Sequence, residues 1–205
     1  MTGSTPGVAA FDFDGTLVEG DSLPRFLGQV LGSGAFGLLL AASGPSMLAA
    51  YRRAGRDGAK AALLARAVAG LDAGVLASHG ESFSAALERR LRPEMVRKLS
   101  WHGDRGHRLI LVSASLAVYL EPLGRRLGFD QVIATDLEVN PDGILTGRIA
   151  GVNVRARQKA IRLTEVLGPG PVELWAYGNS RGDREMLAMA DHPVIVGRRI
   201  GRRPR

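Results

Sequence analysis

The chain is predicted to be an α/β protein, a doubly wound parallel sheet carrying an inserted all-helical cap. Three observations predict this. Short apolar runs alternate with segments of helical period along most of the 205 residues, the pattern of a parallel sheet covered on both faces. The alternation breaks once, after the first run, where a long helical region intervenes. Polar residues also gather just beyond the ends of the strand-like runs, where open α/β sheets bind ligands.

Residues 1–7 (MTGSTPG) form a short polar arm without the charged-then-apolar build of a signal peptide. Residues 8–13 read as a buried strand that ends in Asp14-Gly15, a turn signal. Residues 22–91 are predicted to be helical and to form a separate lid over the strand ends. Alternation then resumes, with a helix at 93–102, a strand at 108–112, a helix at 116–127 and a strand at 131–134. Asp142-Gly143 between 138–140 and 144–149 predicts a small hairpin. A helix at 155–167, a strand at 172–177, a helix at 183–190 and a strand at 193–196 complete the core. The expected division is a catalytic core of 8–21 and 92–197, a cap of 22–91, and an arginine-rich tail of 198–205.

Hydrophobic residues at 45% and charged residues at 23% are the proportions of a folded globular protein. The absence of cysteine excludes disulfides, thiolate metal sites and a thiol nucleophile. The formal charge of +7 comes largely from the end of the chain, where Arg198, Arg199, Arg202, Arg203 and Arg205 crowd together. Without them, 27 cations against 20 anions become 22 against 20, a nearly neutral body. A wholly basic nucleic-acid-binding surface is therefore not expected, while the arginine tail could be solvated or meet nucleic acid or anionic lipid. Residues 26–51 carry no charge at all, long enough to cross a bilayer, though Gly28, Gly32, Gly34, Gly37, Gly44 and Pro45 dilute the hydrophobicity. Buried lid helices and a membrane-contacting lid both fit this run. A cytoplasmic protein is expected, with association at the cytoplasmic face of a membrane as the alternative.

The segment Phe11-Asp12-Phe13-Asp14-Gly15-Thr16-Leu17 carries the first chemistry. Strand alternation would place Asp12 and Asp14 on one face, and the small turn at Gly15 lets backbone N–H groups approach an anion. Two carboxylates so close repel unless a cation or a shared proton intervenes. A divalent metal is the simplest solution, and oxygen ligands favour Mg²⁺. Alone, the pattern also fits sugar-nucleotide transfer or a turn cap.

Further pieces follow in order. Leu111-Val112-Ser113-Ala114-Ser115 is a strand ending in Ser, Lys159 lies near a helix start, and Gly178-Asn179-Ser180-Arg181-Gly182-Asp183 precedes Glu185-Met186-Leu187. With the Asp12–Thr16 segment, these resemble the four motifs of the haloacid dehalogenase superfamily, particularly its phosphoserine-phosphatase-like branch with a helical cap. The resemblance spans about residues 8–197 and implies a Rossmann-like core. It implies that Asp12 attacks phosphorus to form an aspartyl-phosphate, while Asp14 protonates the leaving group and then activates water. Ser113 would bond a phosphoryl oxygen and Lys159 would neutralise charge. Mg²⁺ would be held by Asp12, the Asp14 carbonyl, Asn179 and Asp183. Asn179 departs from the family's usual Asp and predicts weaker Mg²⁺ binding.

Asp21, nine residues beyond Asp12, is expected either to face the substrate or to help start a helix with Ser22. Arg181, inside the fourth motif, is expected to reach substrate or a neighbouring carboxylate. Arg52, Arg53 and Arg56 in the lid could meet a negative group of the substrate, with surface placement the expectation for each. The four histidines read as unrelated to ligands, and Trp101 and Trp175 as core. The expected activity is Mg²⁺-dependent phosphomonoester hydrolysis, with the uncharged lid run favouring a lipid-linked or amphiphilic substrate. A soluble phosphoserine substrate and a non-catalytic regulatory role on the same scaffold stand as alternatives.

Overall fold

The computed structural model describes residues 5–197; the predicted arginine tail lies outside them. Five parallel strands form the sheet in the order β3-β2-β1-β6-β7. They are β1 (Gly7–Phe11), β2 (Arg108–Leu116), β3 (Gln131–Thr135), β6 (Glu173–Gly178) and β7 (His192–Ile195). The central strand β1 alternates its burial between two apolar clusters. Ala9 and Phe11 join one face, with Leu109 and Leu111; Val8 and Ala10 join the other, with Ile110, Val112 and Ala176. Both faces are covered, so the strand reads as a continuous apolar run.

Helices α1 (Leu23–Leu31), α2 (Ser33–Ala67) and α3 (Ala73–Glu88) form the insertion after β1, followed by α4 (Pro93–Gly103). Helix α3 packs on α5 (Ala117–Arg126) so closely that a Cβ on Gly80 would lie 2.2 Å from the Val118 carbonyl oxygen. Phe26, Phe83 and Tyr119 form an aromatic triangle joining α1, α3 and α5, with centroids 4.8–5.3 Å apart. One apolar cluster thus runs from the sheet into the insertion, because Leu64, Leu76 and Leu87 are buried along with Phe11 and Leu111.

Helix α2 breaks at Ala54 and Gly55, whose φ of +60° suits glycine. Its second arm packs against a hairpin of β4 (Leu137–Val139) and β5 (Leu145–Ile149), the predicted hairpin seen as a separate two-stranded antiparallel sheet. Gly147 permits that approach, since a Cβ there would lie 2.9 Å from the Ala65 Cα. Helices α6 (Arg157–Leu167) and α7 (Arg184–Ala188) complete the other face of the sheet. Trp175 is half-buried as expected of a core residue, but Trp101 is 37% exposed beneath the Arg105 guanidinium, 3.9 Å from its ring centre.

Candidate active site

Strand β1 lies between β2 and β6, whose helical connections run to opposite sides, so its carboxyl end is the switch point of the sheet. The chain leaves β1 at Asp12, whose N–H donates to the Tyr177 carbonyl at 2.9 Å. It then turns tightly, with the N–H groups of Thr16, Leu17 and Val18 all donating to the Phe13 carbonyl. Gly15, at φ +79°, must be glycine, because a Cβ would sit 1.8 Å from Asn179 Nδ2. The first and fourth motifs therefore touch through a glycine–asparagine contact.

Asp12 is buried. Its Oδ2 accepts from Thr16 Oγ1 at 2.8 Å, and its Oδ1 accepts from Lys159 Nζ at 2.5 Å. Lys159, also buried, reaches Asp183 Oδ1 at 2.6 Å and so bridges two carboxylates. Burial alone would push Lys159 down, but Asp12 and Asp183 outweigh it and hold the ammonium above its ordinary range. Burial pushes Asp12 up, with Lys159 acting against it. Asp183 is pushed up by burial yet ends below the ordinary range through Lys159 and Ser180. Its Oδ2 accepts from the N–H groups of Asn179 and Ser180 and from Ser180 Oγ, anchoring the loop that carries Asn179.

Asp14 is half-buried and has a different environment. Its Oδ1 accepts from the Ser22 N–H at 2.9 Å; its Oδ2 accepts from Ser22 Oγ at 3.0 Å and from Ser115 Oγ. Ser22 Oγ also lies 2.9 Å from the Tyr119 hydroxyl. Burial dominates and lifts Asp14 to about 6, although the Ser115 and Ser22 hydrogen bonds pull it down. Neighbouring carboxylates with environments this different can divide nucleophile and proton-transfer roles.

Ser113 lies within β2, not at its end, but beyond the last regular pairing of β2 with β1 at Leu111 and with β3 at Val112. Its Oγ accepts from the Ser115 N–H at 3.1 Å. Asp12, Asp14, Ser113, Lys159, Asn179 and Asp183 all line one cleft of about 750 Å³. Asp21 lines it too, while its Oδ1 accepts from the Leu23 N–H at 3.0 Å, so it both faces the cleft and starts α1. Arg181 does not line the cleft. It is exposed, because the turn buries Gly182 and Asp183 instead.

Lys60 was not singled out by sequence, yet its Nζ donates to Asn153 Oδ1 at 2.7 Å and to the Ala114 carbonyl. Asn153 Nδ2 donates to Asp57 Oδ1 at 2.8 Å. These bonds tie the second arm of α2 to the Ser113 strand and to the segment before α6. Burial lowers Lys60 to about 8, against the raising influence of Asp57, Asp21 and Asp14. Arg56, Arg92 and Arg155 add cationic lining. The helical spacing of Arg56 and Lys60, four apart just after the uncharged run, was the available signal. No residue from 26 to 51 lines the cleft.

Among the described residues there is no cluster of three His, Cys, Asp or Glu side chains arranged to hold a metal. The donors present are hard oxygens: the Asp12 and Asp183 carboxylates, the Asn179 amide and the Asp14 carbonyl. This set fits Mg²⁺, which takes one or two carboxylates and fills its shell with water and phosphate oxygens.

The haloacid dehalogenase-like hydrolase family matches residues 9–188. The CicA protein of Caulobacter vibrioides is 37% identical over 193 residues, covering 92% of this chain and 85% of its own. The phosphoserine phosphatase SerB2 of Mycobacterium tuberculosis is 30% identical over 189 residues, 91% of this chain but 43% of its own. A crystal structure of a protein of unknown function from Bordetella pertussis Tohama I superposes with TM-score 0.74 and 25% identity, covering 90% of this chain and 87% of that one. A phospho-aspartyl intermediate analogue of phosphoserine phosphatase shares the fold, at TM-score 0.62 and 18% identity over 91% of this chain and 84% of that one.

Proposed function

The chain belongs to the haloacid dehalogenase-like hydrolases, and on that premise we propose that it is a Mg²⁺-dependent phosphomonoesterase working through an aspartyl-phosphate on Asp12. The observation that carries the reading is the contrast between its two first-motif carboxylates. Burial lifts both, but Asp12 is held in an ion pair with Lys159, whereas Asp14, lifted to about 6, meets only hydroxyls and a backbone N–H. A carboxyl near 6 can donate a proton in one step and accept one in the next.

In the first step an Asp12 oxygen bonds to phosphorus as the ester P–O bond breaks, and the leaving alkoxide takes the Asp14 proton. In the second, Asp14 takes a proton from water, whose oxygen attacks phosphorus and releases the Asp12 carboxylate with inorganic phosphate. Ser113 donates to a phosphoryl oxygen, and Lys159 offsets charge on the transferring group. Asp12, the Asp14 carbonyl, Asn179 and Asp183 would hold Mg²⁺, which would supply charge neutralisation at the phosphoryl oxygens.

The lining of Arg56, Lys60, Arg92, Arg155, Asp21 and Asp57 supports a polar substrate portion inside the cleft. A soluble phosphate ester such as phosphoserine, which brings charges of both signs, suits that lining. For an amphiphilic phosphate, the head group alone would enter. The test is p-nitrophenyl phosphate hydrolysis with Mg²⁺ and with chelator. Wild type should turn over only with the metal, and Asp12→Asn should fall to background. Full turnover by Asp12→Asn contradicts the reading.

A further inference from the structure

We propose that the first arm of α2, residues 33–53, docks in the plane of an anionic membrane surface. α2 is long and apolar enough to cross a bilayer by length and composition, yet only 11% of its most apolar window is buried. Leu38 is 75% exposed, Leu48 50% and Tyr51 53%. The core helix of a soluble protein would bury such residues; here they meet neither the sheet nor the cleft.

The charges beside this face select its partner. Residues 22–56 contain no Asp or Glu, but they contain Arg25, Arg52, Arg53 and Arg56. Arg52, Arg53 and Arg56, all exposed, sit where the apolar arm ends at the Ala54–Gly55 break. An apolar face ending in arginines, with no acid among them, matches anionic lipid headgroups. Exposed Tyr51 at that boundary is an aromatic suited to the interface. A second copy fits less well, since self-pairing through this face sets two acid-free, arginine-bearing segments against each other.

Topology excludes a spanning arrangement. Phe36, near the start of the arm, is buried in the core cluster that holds Leu23, Phe26 and Leu27 of α1, while Leu63, Leu64 and Ala67 anchor the other end of α2 in the same cluster. Both ends are held to the same body, so the arm lies along a membrane and does not cross it. This docking stands independently of the phosphatase reading. If both hold, the cleft, lined by Arg56 and Lys60 just past the break, receives head groups beside the surface.

Flotation of the full chain tests the proposal, using vesicles of phosphatidylcholine alone and vesicles with about a quarter phosphatidylglycerol. All proteins keep residues 198–205, so any contribution of those arginines is constant. Wild type should float with the anionic vesicles, and less at high salt. Leu38→Glu with Leu48→Glu should lower the partition about tenfold or more, and Arg52→Gln with Arg53→Gln about tenfold on anionic vesicles only. Circular dichroism and melting check folding; if the glutamate pair melts early, Leu38→Gln with Leu48→Gln carries the same test. Failure of wild type to float, or equal flotation of the leucine variants, overturns the proposal. So does a dimer that the leucine changes dissociate while no protein floats.

Discussion

Replacing Asp14 by Asn should change how stability depends on pH, in a direction and size the site sets. Burial lifts the Asp14 carboxyl from 3.8 to about 6 in the folded chain. A raised carboxyl binds its proton more tightly when folded, so its contribution is full below the unfolded value and is lost as pH rises through 6. The whole span is about 3 kcal/mol at 1.36 kcal/mol per unit. Between about pH 4.5 and about pH 7.5 the linkage relation gives a loss of about 2 kcal/mol. Asn lacks the titration but can still accept from the Ser22 N–H and meet Ser115 through its amide. Any constant offset from altered hydrogen bonds drops out of the pH dependence. Urea unfolding followed by tryptophan fluorescence, with chelator present, gives the difference between wild type and Asp14→Asn at each pH. That difference should shift in favour of the variant by about 2 kcal/mol as pH rises. A flat difference, or one that shifts toward wild type, refutes the environment assigned to Asp14.

Lys159→Met would leave Asp12 and Asp183 buried without their shared cation, so unfolding free energy should fall by about 3–5 kcal/mol and turnover should vanish. Adding Asp183→Asn should recover part of that stability but no turnover, as paired melts and assays would show. Ala156, immediately before α6, is held at φ 52° and ψ −126°, a conformation costly for any residue with a Cβ. Ala156→Gly should therefore raise the unfolding free energy by about 1 kcal/mol in urea titrations, with kcat unchanged. Asn179→Asp adds a charged oxygen donor beside Asp12, so the Mg²⁺ concentration for half-maximal activity should fall; a rise would count against Asn179 as a ligand.

The site residues legible in sequence were those carried by local pattern. Asp12, Asp14 and Gly15 follow a strand and a turn signal, and Asp183 follows a strand with a short helix after it. Lys159 needed the company of the other motifs, since a lone helix lysine says little. Less legible were groups joined only by folding. Lys60 meets Asn153 across 93 positions, and Ser22 meets Tyr119 across 97, distances over which no periodicity speaks. Arg181 misled for a local reason: within its short turn, burial falls on Gly182 and Asp183. The uncharged run 26–51 fixed neither burial nor role, because composition cannot distinguish an acyl-lined cleft from an exposed face. The structure keeps it out of the cleft and exposes much of it. The insertion's continuity with the core was not legible, because it depends on Gly80 admitting the Val118 carbonyl.

The proposed mechanism requires a covalent bond between phosphorus and the Asp12 carboxylate, and that bond can be sought directly. Wild type turning over a phosphate-labelled monoester with Mg²⁺ is quenched in acid, digested, and mapped by mass spectrometry. Label should appear on the peptide containing Asp12, be removed by hydroxylamine as an acyl-phosphate, and disappear in Asp12→Asn. Turnover with no acid-stable label on that peptide, or label persisting in Asp12→Asn, would contradict the mechanism.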